Sequence, residues 1–512
     1  MLKYLKAEIA PEHLGVSVDE PFETNKTFTE NGAVAFKTTN SACLDLFSTI
    51  GAMRNSREDS VLNSFYCAYS ENPDLAMKIL FFARDIRGGL GERKVFRLII
   101  NDLAKRGKSS VLKNLKYIAE YGRFDDLLVL LNTDCECEAV ELIKAQLETD
   151  IKNMNSGNQI SLLAKWMPSI NASSKSAVAN AKKLANALGY TKEKYRKTLS
   201  ALRAHLKIAE NNLRTEDFTF DYEKLPSKAL FKYRFVFMRK DRERYEDFIN
   251  RAESGEGKLN ASTLMPYELL EPYIGTLYNS LGRNDLPLSI SETEQAALNA
   301  TWKSLPDFCN GENALAVVDT SGSMYCYNNP SPASVALSLG IYFAEHSKGV
   351  FKNHFIEFSK NPQLIEIKGN TFIEKLRYIL RFYTVANTDI EKVFELILNT
   401  AVKYNVPQSE LPSKLYIISD MEFDYCVNNR EKTNFENAKQ MFEEKGYALP
   451  KVVFWNVASR NLHQPVTMNE QGVALVSGCS PRLFSMVTSD DINPYKYMLE
   501  VIESERYKNI AA

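Results

Sequence analysis

The chain has 512 residues, 45% of them apolar and 25% charged, with a formal net charge of −1; that length exceeds one ordinary core and predicts at least two domains. Near-neutrality gives no global case for nucleic acid, so any such role must lie in the local distribution of charge. Eight cysteines with no C-x-x-C pair and no regular framework suit a reduced compartment. The opening residues MLKYLKAEIAPEHLG hold no long apolar core and no small-residue cleavage site, so no signal peptide is expected. No run approaches the roughly 18 apolar residues that span a bilayer, and a cytoplasmic protein is expected.

From about residue 60 to 280 apolar residues recur at three- and four-residue intervals, which predicts helices. Val111, Leu112, Leu115, Ile118 and Ala119 make one face, with Ser109 and Ser110 as expected caps. Val140, Ile143, Leu147 and Ile151 make another. Breaks at Gly107, Gly122, Gly157 and Gly189 suit antiparallel pairs stacked as an all-α solenoid over residues 1–300. Arg84, Asp85, Arg87 and Glu92 are expected to form buried ion pairs between stacked helices, with Gly88, Gly89 and Gly91 making the turn. Asp125 and Asp126 are expected to cap the helix after Gly122, Trp166 to pack, and Cys135 and Cys137, with no histidine near them, to be plain thiols.

Residues 151–240 hold 18 Lys or Arg against 6 Asp or Glu, the local excess in which an RNA footprint is sought. Behind Thr191, Tyr195, Leu199, Leu202 and Leu206 fall on one helical stripe, and Arg196, Arg203 and Lys207 on its neighbour. Lys194 and Lys197 extend the charge. Lys232 and Arg234 interleave with Tyr233 and Phe235, a pattern that can stack on unpaired bases. Charge alone makes Lys194, Arg196, Lys197, Arg203, Lys207, Lys232 and Arg234 the RNA-contact candidates, with a plain solvated surface as the alternative reading.

Residues 282–312 mix Pro, Gly and polar residues and mark a boundary. Beyond it, over 310–512, β-like runs at 314–319, 354–358, 363–367, 415–420, 452–457 and 473–476 alternate with helical stretches near 331–347, 371–381, 389–404 and 434–445. Such alternation predicts an α/β, Rossmann-like doubly wound sheet, with the 354–367 pair giving one antiparallel edge. Within ALAVVDTSGSM (314–324) an apolar strand ends at Asp319, and the loop presents Ser321 and Ser323 at the carboxyl end of the sheet, where ligands bind. A serine nucleophile is not expected: there is no G-x-S-x-G elbow, and none of the five histidines stands at an informative spacing. A phospho-aspartate enzyme is disfavoured by Ser321, where a second acid would stand. No coherent catalytic set emerges, and no enzyme is expected.

The D-x-S-x-S run resembles the signature of von Willebrand A domains, whose metal-ion-dependent adhesion site uses that aspartate and both serines. The resemblance implies a threonine from a second loop, here Thr388, and an aspartate after the fourth strand, here Asp420; the glycines usual before the threonine are absent. Two carboxylates and three hydroxyls suit Mg²⁺, or another hard divalent cation such as Mn²⁺, and exclude a thiolate zinc site. Few direct carboxylates leave the ion electrophilic, able to accept an Asp or Glu from a protein partner.

FFARDIRGGLGERKVFR (81–97), YGRFDDLL (121–128), KWMPS (165–169), LANALGYTKEKYRKTLSALRAHLKIAE (184–210) and YEKLPSKAL (222–230) resemble an uncharacterised family that pairs a helical half with a C-terminal von Willebrand A half. That family is similar in turn to the TROVE module of the Ro autoantigen, a ring of HEAT-like repeats closed by a von Willebrand A domain. The resemblance implies small noncoding RNA on an outer basic surface, single-stranded RNA ends in a central hole, and a scaffold role in a ribonucleoprotein or in RNA quality control. The alternative is a metal-dependent protein-interaction scaffold or assembly factor.

Overall fold

The computed structural model describes residues 25–278, 290–309, 312–325, 329–348, 350–358, 361–382, 389–424, 433–487 and 492–512. The helical half runs from Ala42–Thr49 to Glu292–Lys303. Its helices start where local chemistry satisfies their free amides: Asn72 accepts from the Leu75 amide with Pro73 next to it, and Thr191 accepts from the Lys194 amide, each meeting a donor that has no partner within the helix. Pro73–Arg84 is buried nearly all round and lies in the interior. Lys192–His205 buries only Tyr195, Leu199 and Leu202, the one-sided stripe of a surface helix. No helix among the described residues is long and apolar enough to cross a membrane.

Two expectations change here. Ser109 and Ser110 are not caps, because the helix begins at Lys108 with Gly107 ahead of it, and the Ser110 hydroxyl pairs with Tyr69 Oη at 2.6 Å. The face then breaks at Asn114 into a 3₁₀ turn, Leu115–Tyr117, before Ile118–Tyr121. The charged motif forms the expected buried ion pairs at Arg84, Asp85 and Glu92, and departs from the expectation only at Arg87. Arg84 Nε donates to Asp126 Oδ2 (2.8 Å), and Arg97 binds Asp125 (2.7 Å) and Asp126 (2.6 Å). Glu92 takes Arg54 (2.6 Å), whereas Arg87 is exposed and donates to the Glu120 carbonyl (2.6 Å). Asp85 is held by Arg506 (2.7 Å) and Tyr507 Oη (2.9 Å) from the far end of the chain. Gly89 is required by close approach, since a Cβ there would sit 2.0 Å from the Phe82 carbonyl oxygen. Asp126 also accepts from the Arg123 amide (2.9 Å) at the start of Phe124–Leu130. Cys135 is buried and Cys137 exposed, both free thiols.

The strands are β1 (Lys26–Phe28), β2 (Val34–Phe36), β3 (Ala314–Asp319), β4 (His354–Phe358), β5 (Gln363–Glu366), β6 (Lys414–Ser419), β7 (Lys451–Asn456) and β8 (Val473–Ser477). β1 and β2 form a small hairpin; the others form one sheet in the order β5-β4-β3-β6-β7-β8. All neighbours in it are parallel except β5, antiparallel to β4 at the edge. Every residue of β3 and β6 is buried, as a parallel sheet covered on both faces requires. Pro332–His346 crosses β3 closely enough that a Cβ on Gly340 would lie 2.5 Å from Val318 Cγ2.

Both ends of the helical half meet the C-terminal domain. At one end Phe36 and Gln464 exchange backbone hydrogen bonds (2.8 and 2.7 Å), the Gly51 amide donates to Ser477 Oγ (3.0 Å), and Ser459 Oγ donates to the Thr49 carbonyl (3.0 Å). At the other, Trp302 Nε1 donates to Glu345 (2.9 Å), Trp302 stacks on Phe372 with centroids 4.3 Å apart, and Glu271 accepts from the Ser331 amide (3.2 Å). The packed elements thus close a circuit through the C-terminal domain.

Candidate metal centre and cationic surface

β3 delivers Asp319, fully buried, to the carboxyl end of the sheet. Its Oδ1 accepts from the Ser321 amide (2.9 Å) and its Oδ2 from Ser419 Oγ (2.6 Å). The chain then turns through the 3₁₀ stretch Gly322–Tyr325, which brings Ser321 Oγ and Ser323 Oγ to 3.0 Å from each other. One strand over, Asp420 follows β6; it is 2% exposed and accepts from the Glu422 amide (3.2 Å). β3 and β6 adjoin where the strand order reverses, which is where open α/β sheets form a ligand crevice. Burial, and then the charge of Asp420, push the Asp319 carboxyl up to about 7, against the hydrogen bonds from Ser419 and Ser321. Two buried carboxylates beside two hydroxyls form an oxygen-only donor set that a hard divalent cation fits. Among the described residues no three or more His, Cys, Asp and Glu side chains gather in the arrangement of a metal site. Thr388 lies outside the described residues; its neighbour Asp389 caps Ile390–Tyr404 through the Lys392 amide (3.1 Å).

The cationic candidates divide. Lys194, Arg196 and Lys197 are exposed on Lys192–His205, with Lys194 Nζ 4.1 Å from the Tyr190 ring centroid and Lys197 paired to Glu193 at 2.7 Å. Lys207 is exposed but lies beyond the helix end at φ 49°, so it does not continue the stripe. Lys232 is exposed, 5.0 Å from the Tyr233 ring centroid. Two assignments are corrected. Arg203 is half-buried and spends its guanidinium on the carbonyls of Ala164 (2.8 Å) and Met167 (2.7 Å). Arg234 is 5% exposed, donates to the Phe231 carbonyl (3.0 Å) and stands 3.7 Å from Glu294. Both are internal struts, because a long arginine on a half-apolar helix can reach inward to free carbonyls or acids. The surviving surface is concentrated: on Lys175–Ala187 and Lys192–His205 six exposed cations, Lys175, Lys182, Lys192, Lys194, Arg196 and Lys197, face one acid, Glu193.

Residues 29–140 and 137–308 match one family model, described as a domain of unknown function (DUF2828), and together they span more than half of the chain. The chain belongs to the DUF2828 family. Residues 313–508 match a second model, also a domain of unknown function (DUF7788), so the two matches meet between 308 and 313. This DUF2828 member is 29% identical over 517 residues to an uncharacterized protein of Acanthamoeba polyphaga mimivirus, covering 94% of this chain and 87% of that one. Among solved structures it aligns with the RO (RSR) protein of Deinococcus radiodurans at 12% identity, over 91% of this chain and 93% of that one, with a TM-score of 0.32; at that score the likeness carries no argument.

Sequence reasoning missed what borders the crevice of this DUF2828 member. Arg460 Nη1 lies 3.2 Å from Asp420 Oδ2, and the N-terminal turn at Thr29–Gly32 is bonded to the loop after Asp420, with Thr29 Oγ1 donating to the Phe423 carbonyl at 2.6 Å. Neither the periodicity nor a motif signals contacts between residues some 400 positions apart. Ser419 was legible only as part of an apolar strand.

Proposed function

We propose that the chain is a binding scaffold that takes RNA on the exposed face of Lys175–Ala187 and Lys192–His205. The carrying observation is the concentration of six exposed cations against one acid on that helix pair in a chain of net charge −1. A phosphate backbone fits such a face, because each cation it engages releases a condensed counterion. The resemblance to a family that is similar in turn to the TROVE module supports the same reading, as does the circuit of packed helices closed through the C-terminal domain. Replacing Lys194, Arg196 and Lys197 together by Gln tests it: RNA affinity in filter binding should fall, with helicity retained because Gln is a good helix former and the buried stripe is untouched. Unchanged affinity would move the RNA elsewhere or remove it.

The crevice supports a second, compatible reading: the C-terminal half is a von Willebrand A-type domain holding Mg²⁺ or Mn²⁺ through Asp319, Ser321, Ser323 and Asp420, with Thr388 as the remaining ligand. The sheet order with its antiparallel edge and the convergence of the D-x-S-x-S loop with Asp420 favour it. A bound divalent ion would supply a Lewis-acidic position for a partner's carboxylate. The protein's own part is to hold Asp319 in place through Ser419 Oγ and the Ser321 amide. Asp319→Asn preserves the carboxylate's shape and removes its charge, and calorimetry should then show Mn²⁺ binding lost while the melting temperature is maintained. Undiminished Mn²⁺ binding would remove this site.

A further inference from the structure

Glu30 stands in the turn between β1 and β2, and the whole turn is fastened to the loop that carries Asp420. The Glu30 amide donates to Glu422 Oε2 (2.8 Å), Asn31 Nδ2 to the Glu422 carbonyl (2.7 Å), and Gly32 pairs with Asp424 in an antiparallel bridge. From the loop after β7, Arg460 reaches two acids at once: Nη1 is 3.2 Å from Asp420 Oδ2, and Nη2 is 2.5 Å from Glu30 Oε2. Asn461 Nδ2 donates to Glu30 Oε1 (3.0 Å) and to Glu422 Oε1 (2.9 Å), and His463 Nε2 stands 3.4 Å from Glu422 Oε1. One guanidinium is therefore shared between a carboxylate of the candidate metal centre and a carboxylate of the N-terminal turn.

We propose that Arg460 is a built-in competitor of the divalent cation: its guanidinium occupies Asp420 in the metal-free chain, and Glu30 is the acceptor that draws it aside when a metal enters. The inference rests on the metal reading above. A guanidinium cannot shed its proton to make way, and two positive charges on one carboxylate repel over a few ångströms in a partly buried site, so an ion that takes Asp420 Oδ2 competes directly with Arg460. The side chain has somewhere to go. Arg460 is 32% exposed and Glu30 46% exposed, and Asn461 already orients Glu30 to receive it. Metal affinity is then set by the balance of Arg460 between Asp420 and Glu30, which couples the occupancy of the crevice to the docking of the N-terminal turn.

The two partners should shift affinity in opposite directions. Arg460→Gln removes the competitor and keeps amide donors toward Glu30; Mn²⁺ should bind roughly tenfold more tightly. Glu30→Gln weakens the alternative acceptor and leaves Arg460 on Asp420; Mn²⁺ should bind severalfold more weakly. A clamp with only a structural role loses the same bond in both variants and moves affinity the same way in both. Titration of the full chain with Mn²⁺, followed by calorimetry or by the resonance of the free ion, reads this directly, and melting curves report folding; if Arg460→Gln fails to fold, Arg460→Met, which keeps the apolar stem and removes the charge, takes its place opposite Glu30→Gln. Mn²⁺ binding that appears only in Arg460→Gln supports the proposal in its strongest form. Asp319-dependent binding that Arg460→Gln leaves equal or weaker overturns the competitor role and leaves the metal centre standing. Absence of binding in both wild type and Arg460→Gln removes the metal centre and the inference together.

Discussion

Asp126 is fully buried and holds two guanidinium groups, Arg84 at 2.8 Å and Arg97 at 2.6 Å. Truncating it leaves Arg84, itself 2% exposed, as an uncompensated buried charge, which costs about 3–5 kcal/mol. Asp126→Ala should lower the urea midpoint accordingly, and a shift near zero would contradict the pairing. Glu391 behaves oppositely. Burial, and then Glu395 and Asp389, push its carboxyl up to about 7, against a hydrogen bond from Asn437. Its ionised form is less favourable in the fold than in the open chain, so its contribution is fullest below the ordinary glutamate range and is lost as pH rises through about 7. Glu391→Gln should melt above wild type at pH ~8 with the gap narrowing toward pH ~5; a gap independent of pH would rule out this ionisation as its cause. Residue roles were partly legible from sequence. Asp319, Ser321, Ser323 and Asp420 come together because a strand end and a short motif specify position and chemistry at once. Arg203 and Arg234 were misassigned because helical spacing gives the direction of a side chain's root and not the carbonyls of Ala164 and Met167, or the Glu294 carboxylate, that its far end finds.

At the scale of elements, the six strands of the large sheet were readable within a residue or so of their ends, since buried parallel strands such as ALAVVD and KLYIIS are continuous apolar runs. The stretch from Lys108 to Tyr121 was not, because a 3₁₀ turn at Leu115–Tyr117 keeps apolar residues at similar spacing while changing the pitch. The packing of Pro332–His346 on β3 gives a sharper test. Val318 is β-branched and stiff, so the Cβ added by Gly340→Ala, 2.5 Å from its Cγ2, must push helix and strand apart at a cost of about 1–3 kcal/mol. The variant should lose thermal stability, although Ala is the better helix former. An unchanged or raised melting temperature would show that the contact yields freely.

Across the whole molecule, the contacts that close the circuit join residues far apart in the chain: Asp85 with Arg506, Gly51 with Ser477, Phe36 with Gln464. Local periodicity reports only near neighbours, so the two-part plan was legible while its closure, and the seating of the N-terminal turn beside Asp420, were not. The same circuit of contacts carries a cationic face on one half and the buried Asp319–Asp420 pair on the other. RNA binding by that face is tested most directly by filter binding of a single-stranded RNA to the wild-type chain over a salt series from about 50 to 200 mM. The logarithm of affinity should fall linearly with the logarithm of salt, and replacing Lys194, Arg196 and Lys197 by Gln should flatten the slope by about two to three phosphate contacts. Absence of salt-sensitive RNA binding at the low-salt end would contradict it and leave the divalent-cation crevice as the working surface of the molecule.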